Sequence, residues 1–254
     1  MLAQVEETVA PTHRRGLRNP IDPSARIRAV LFDVDGTLYR QLPVRALMAL
    51  ELLTMPLSGI GRASRRWRAL RMYRIAQERL RRSGAGGAVA SAQLTAAADA
   101  AGLPQADVEA LVNEWMLTRP LKYLRLCRAV GITPLLRLLE RAGVRAGVLS
   151  DYPTESKLRA LGLTGRFSPV VCATDPDVDA FKPSPRGFLR ACELWGLPPR
   201  DVLMIGDRTD VDAAGAIAAG MPCVIIGRVS SRHDSTGYRV FSSLKRLRRA
   251  LEHD

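Results

Sequence analysis

Two carboxylates one residue apart, Asp33 and Asp35, close the apolar run Ile27 to Phe32 and precede Gly36-Thr37-Leu38. Such a pair can divide labour, one member ionised and the other carrying a proton for a leaving group. The apolar run has the length and residue types of a buried strand, so both carboxylates fall at its C-terminal end, the edge of an open α/β sheet where ligands bind. Gly36 permits a sharp turn, and Thr37 offers a hydroxyl and a backbone N–H to an anion. Taken alone, the same residues also suit an acidic turn after a strand.

Three later segments narrow the choice. Gly147 to Asp151 is a second apolar run that ends in the hydroxyl of Ser150. Phe181-Lys182-Pro183 places a lysine in a chain with only four lysines against 34 arginines. Val202 to Asp207 is a third strand-like run ending in Gly-Asp, with Asp210 and Asp212 close behind. In this order the four segments resemble the motifs of the haloacid dehalogenase superfamily, most of whose members are Mg²⁺-dependent phosphohydrolases. The resemblance runs in pieces from Ala29 to Ile226 and leaves out the stretch between the first two pieces.

The resemblance implies roles. Asp33 would be the nucleophile that forms an aspartyl-phosphate, and Asp35 would protonate the leaving oxygen and then take a proton from water. Ser150 and the Asp151 backbone N–H would hold phosphoryl oxygens beside Thr37, and Lys182 would act as a point charge on Asp33 and the phosphate. Mg²⁺ would be held by the Asp33 carboxylate, the Asp35 backbone carbonyl and Asp207, with Asp212 supporting its water shell. Asp210 competes with Asp212 for that role; Asp212 is preferred because Gly206 to Met221 then follows the usual Gly-Asp to Ala-Gly-Met spacing. For this chemistry Asp33 must be charged and Asp35 protonated at the start. Tyr152 departs from the small or amide residues usual after the second motif, and so reshapes or covers the phosphate pocket. Asp175, Asp177 and Asp179 read as a solvated acidic loop.

The elements that must position these residues are partly legible. From about residue 133 helical patterns alternate with short apolar runs, the pattern of a parallel sheet with right-handed crossovers. Helices are expected over 135–142, 154–161, 185–195, 211–219 and 242–251, and strands over 144–149, 170–172, 202–206 and 223–226. Between Tyr39 and Cys127 only helical periodicity appears, broken near Pro56, Gly59-Ile60-Gly61 and Gly84 to Gly87. The expected fold is α/β, a Rossmann-like parallel sheet core with a helical insertion that the resemblance makes a cap. Its parts are a flexible arm at residues 1–26, core at 27–39, cap at 40–127 and core again at 128–254.

Composition sets the outer bounds. A chain of 254 residues with 47% apolar content can bury a large core. A formal net charge of +13 suits an anionic substrate or surface, and equally suits a genome that favours arginine codons. No specific nucleic-acid motif is present. Cys127, Cys172, Cys192 and Cys223 form no paired motif, so neither a disulfide framework nor a zinc site is implied. The first residues lack the basic and apolar regions of a secretory signal, which points to the cytoplasm. Arg62, Arg65, Arg66, Arg68, Arg71 and Arg74 alternate with Trp67, Leu70 and Tyr73, a basic amphipathic pattern that suits weak contact with an anionic membrane or polyanion, or a solvated face.

The sequence therefore points to a phosphatase acting on a small phosphorylated substrate. A phosphomutase or phosphotransferase using the same intermediate stays open, as does a non-catalytic regulatory or membrane-surface binding protein. A dehalogenase has no need of an acid at Asp35. A phosphonate hydrolase would need a cap lysine for imine formation, and Lys122 is the one available.

Overall fold

The computed structural model describes residues 16–22, 24–53, 60–84, 86–227 and 237–253; side chains of residues 52–65 and of 253 are outside the description. Two short antiparallel strands come first, β1 (Leu17–Arg18) and β2 (Arg26–Ile27). The central sheet holds β3 (Ala29–Phe32), β4 (Arg145–Ser150), β5 (Val170–Cys172), β6 (Val202–Gly206), β7 (Cys223–Ile226) and β8 (Tyr238–Phe241). All neighbours pair in parallel, in the order β5-β4-β3-β6-β7-β8. The chain builds outward from β3 on one side, then returns to its other side with β6. That reversal opens a crevice at the C-terminal ends of β3, β4 and β6.

Side chains alternate across the sheet because successive strand residues point to opposite faces. On one face Phe32, Val148, Leu203 and Ile205 meet Leu135 and Leu139 of α6 (Ile132–Arg141) and Leu247 of α10 (Leu244–His253). On the other Leu31, Leu149 and Met204 meet Phe188 and Ala191 of α8 (Arg186–Trp195) and Ala216 of α9 (Ala214–Ala218). Each fully buried Leu, Ile or Phe contributes roughly 1.5–3 kcal/mol of burial free energy, so this double layer is what holds the sheet edge rigid.

Between β3 and β4 the chain forms α1 (Gln41–Leu53), α2 (Ile60–Ser83), α3 (Val89–Ala101), α4 (Gln105–Val112), a π-helical stretch at Asn113–Thr118 and α5 (Leu121–Cys127). It leaves and returns through a two-chain neck, in which Arg40 N–H donates to Cys127 C=O and Ala129 N–H to Leu38 C=O, both at 2.9 Å. The insertion has its own apolar centre, with Ala69 and Tyr73 of α2 against Ala97, Ala98 and Ala101 of α3 and Val108 of α4. Small residues let α2 and α3 approach closely.

Three expectations need correction or limits. The arm is not without structure throughout, because Leu17–Arg18 pairs with Arg26–Ile27; residues 1–15, and Pro56 and Gly59 in the insertion, lie outside the described residues. Strand β8 has no counterpart in the sequence reading, since its four residues carry too little pattern to be distinguished from a loop. The helix expected over 211–219 is split, a π-helical turn at Thr209–Ala213 preceding α9.

Candidate active site

The crevice at the sheet edge gathers residues from four loops. Asp33 follows β3 directly, Ser150 ends β4, Lys182 lies between β5 and α8, and Asp207 follows β6. Lys182 is buried, and its Nζ lies 2.6 Å from Asp33 Oδ1 and 2.8 Å from Asp212 Oδ1. The other oxygen of Asp212 accepts the backbone N–H groups of Asp207 and Arg208, each at 3.1 Å. Asp212 therefore fixes both the lysine and the loop that carries Asp207. Asp210 points elsewhere, pairing with Arg208 at 2.6 Å on the surface. The structure thus brings Asp212, and not Asp210, into the cluster.

Two glycines make this approach feasible. A Cβ on Gly36, whose φ is 121°, would stand 2.0 Å from Asp207 Oδ2, and one on Gly206 would stand 2.4 Å from the Asp212 Cβ. Only hydrogen fits at either place.

One carboxylate oxygen from each of Asp33, Asp207 and Asp212 falls within 4.8 Å of the others. Asp33 Oδ2 is buried with no hydrogen-bond partner, an arrangement that costs free energy unless something positive sits there. An all-oxygen, acid-rich donor set with an orphaned carboxylate oxygen fits a hard divalent cation such as Mg²⁺. Burial, with the neighbouring carboxylates adding to it and Lys182 opposing, pushes the Asp33 carboxyl up to about 7. Burial and the adjacent Asp212 raise Asp207 to about 6.

Asp35 overturns an expectation. Lys157, on the short helix α7 (Glu155–Ala160), reaches both its oxygens at 2.7 and 2.6 Å, and the Tyr39 hydroxyl donates to Oδ1 at 2.5 Å. Burial alone would raise the Asp35 carboxyl, but Lys157 and Tyr39 outweigh it and hold the group below its ordinary value. Asp35 is accordingly ionised in this arrangement and not protonated. Its backbone carbonyl accepts the Gln41 side-chain amide at 2.7 Å, leaving the second lone pair of that oxygen for another partner.

Ser150 and Thr37 are buried, and neither lines the open cleft. The Thr37 hydroxyl has no partner, whereas Ser150 Oγ accepts the Tyr152 N–H at 3.4 Å. Asp151 is committed on both sides: Oδ1 accepts the Lys182 backbone N–H at 3.1 Å, while Oδ2 takes Arg81 and, at 3.3 Å, Gln77, both from α2. Tyr152 is wedged between Tyr73 and Phe181, with ring centroids 6.1 and 6.2 Å away, and its hydroxyl accepts from Gln93 at 2.7 Å. The departure at Tyr152 is thus a contact between insertion and core. The acidic loop is also bonded, not merely solvated: Asp175 accepts the Cys172 N–H, Asp177 pairs with Arg190, and Asp179 accepts the N–H groups of Ala88 and Val89 at the start of α3.

Between the insertion and the sheet edge lies a cleft of about 960 Å³. Asp33, Asp35, Lys157, Lys182 and Asp207 line its floor, and Arg45, Arg68, Arg71, Arg74 and Arg81 line the insertion side. Of the arginine face read from the sequence, Arg68, Arg71 and Arg74 turn to this cleft; the side chains of Arg62 and Arg65 lie outside the description. Lys122 is not at the cleft but pairs with Glu51 at 2.9 Å, so nothing in the geometry offers it for imine chemistry.

A parallel sheet carrying an acid cluster with a buried lysine, faced across a cleft by a helical insertion, has the build of an α/β enzyme. Residues 27–220 match the haloacid dehalogenase-like hydrolase family, to which this chain belongs. It is 33% identical over 191 residues to an N-acetylmuramic acid 6-phosphate phosphatase of Pseudomonas aeruginosa, spanning 72% of this chain and 74% of that one. A phosphoglycolate phosphatase of Xylella fastidiosa is 32% identical over 213 residues, covering 82% and 83%. A solved 2-haloacid dehalogenase from Pseudomonas syringae superposes with a TM-score of 0.61 at 22% identity, covering 89% of this chain and 98% of that one, and shows the shared fold. Among the described residues no helix is long and apolar enough to cross a membrane.

Proposed function

We propose that this hydrolase is a Mg²⁺-dependent phosphatase acting on a small phosphomonoester through an aspartyl-phosphate at Asp33. The observation that carries the reading is the buried, half-unpartnered Asp33 carboxylate held by Lys182 on the floor of the cleft. The two curated relatives described above, both phosphatases, support it. An Asp33 oxygen attacks phosphorus as the bond to the ester oxygen breaks, and Asp35, once its ion pair with Lys157 has opened and it has taken up a proton, gives that proton to the leaving oxygen. Water then attacks the acyl phosphate, Asp35 takes the water's proton, and inorganic phosphate leaves. Lys182 offsets part of the burial cost of a charged Asp33 and attracts the phosphate, while the Thr37 hydroxyl and the loop at Ser150-Asp151 bind phosphoryl oxygens. Mg²⁺, held by Asp33, Asp207 and the Asp35 carbonyl, supplies neutralisation of phosphoryl charge when bound. The insertion serves as a cap that limits water and selects the substrate. Four free, buried cysteines suit a reducing compartment, in keeping with the cytoplasm.

The test is hydrolysis of p-nitrophenyl phosphate and a panel of phosphomonoesters with Mg²⁺ and after chelation. Phosphate release that needs Mg²⁺ and no bisphosphate activator is expected; a long-lived phosphoenzyme that transfers to an added acceptor would instead favour a mutase.

Mg²⁺ affinity should also depend on pH in a defined direction. Below their raised values of about 7 and about 6, Asp33 and Asp207 hold protons that the cation must displace. From about pH 8 to about pH 5.5, calorimetry should show affinity falling by roughly 10- to 100-fold, steeper than ordinary carboxylates would give. A flat profile over that range would remove both residues from the metal site.

A further inference from the structure

The cleft has an excess of positive charge that the reaction at Asp33 does not use. Each carboxylate on its wall except Asp207 is already paired: Asp33 and Asp212 with Lys182, Asp35 with Lys157, Asp151 with Arg81, and Glu78 with Arg81 and Arg208. Arg45, Arg68, Arg71 and Arg74 have no carboxylate partner among the described residues. Arg45 on α1 and Arg74 on α2 are both exposed and face the same cleft from different helices. Partial burial and then the charge of Arg45 hold the Arg74 guanidinium below its ordinary value, with Tyr152, Tyr39 and Asp35 opposing. Arg45 is steadied by Gln41, which accepts its Nη2 at 2.7 Å while donating to the Asp35 carbonyl. Arg74 makes no hydrogen bond or ion pair with any described residue. Two guanidinium groups brought together without an anion repel, and a bound anion relieves that repulsion.

The surroundings limit what the anion is attached to. Met48, Leu70, Trp115 and Met116 line the same cleft, and Trp67 is 51% exposed there, so the walls beside the arginines are apolar. Along α2, Arg81 contacts the Asp151 loop and Arg74 lies two turns before it, about 10 Å along the helix axis. We infer that Arg45 and Arg74 seat a second anionic group of the substrate, a carboxylate or a second phosphate, joined to the scissile phosphate by an apolar body that lies against Met48, Leu70 and the two tryptophans. The inference rests on the phosphatase reading, and it assigns to the insertion a choice for doubly anionic phosphomonoesters.

The experiment compares three ester series of increasing chain length: n-alkyl phosphates, phosphate esters of ω-hydroxyalkanoic acids, and α,ω-alkanediol bisphosphates. At the matching length, kcat/KM of the wild type should exceed that of the plain alkyl phosphate by about 10- to 100-fold, the worth of a charge-assisted arginine pair, and the gain should be in KM. The carboxylate and bisphosphate arms show which anion is preferred. In Arg74→Gln and Arg45→Gln the ratio of doubly to singly anionic ester should fall close to one. A wild-type ratio near one, or a ratio unchanged in both variants, would overturn the inference. If no ester is hydrolysed, the phosphatase reading fails separately, and calorimetry with α,ω-alkane bisphosphonates against alkyl monophosphonates decides the seat. Tighter binding of the former that is lost in Arg74→Gln supports it; equal binding rejects it.

Discussion

Asp33→Asn is expected to abolish turnover, with kcat falling by at least about 10⁴-fold, since on the proposed mechanism the step that forms the aspartyl-phosphate loses its anionic attacking oxygen. An amide is close in size to a carboxylate, and Lys182 keeps Asp212 at 2.8 Å, so the variant should fold. Removing a carboxylate that burial has pushed up to about 7 even relieves repulsion among Asp33, Asp207 and Asp212. The check pairs steady-state phosphate release with acid-quench trapping of the phosphoenzyme and a thermal melt. No trapped intermediate and an unimpaired melt are expected. Turnover near the wild-type rate would assign the nucleophile elsewhere.

The second large effect depends on the leaving group. Asp35→Asn should lower kcat/KM for an alkyl phosphate by about 10³-fold, because an alkoxide cannot depart without a proton. For p-nitrophenyl phosphate, whose phenolate leaves unaided, the loss should shrink to about tenfold. Asparagine keeps the shape but leaves the buried Lys157 without its carboxylate, so some stability is lost as well. Equal losses with both esters would mean that the residue positions the site and donates no proton. The ion pair with Lys157 adds a condition: it must open before Asp35 can carry a proton to the substrate.

The two halves of this picture were unequally legible. The strands β3, β4 and β6 could be read because buried parallel strands are short apolar runs, and the residues ending them, Asp33, Ser150 and Gly206-Asp207, are polar at abrupt boundaries. Lys182 stood out by scarcity. Lys157 had the same scarcity but sits on a helix of six residues, where a lysine reads as a solvated one; its rarity, as one of only four lysines, was the available signal. Tyr39, Gln41, Gln77 and Arg81 act across 70 or more residues or around a tight neck, and no local pattern reports such pairings. The ambiguity between Asp210 and Asp212 has a geometric origin. The π-helical turn at Thr209–Ala213 changes which side chains share a face, so helical spacing counted from Asp207 misplaces them.

The double commitment of Asp151 bears on how the cleft admits a molecule. Its carboxylate ties the backbone of Lys182 to Arg81 and Gln77 of α2, and Tyr152 beside it is clasped by Tyr73 and Gln93. The contact between insertion and core is therefore made at the sheet edge itself: separating α2 from it would break bonds made by the loop that follows Ser150. The same carboxylate holds the Lys182 backbone, so a shift of α2 is transmitted directly to the lysine that pairs with Asp33 and Asp212.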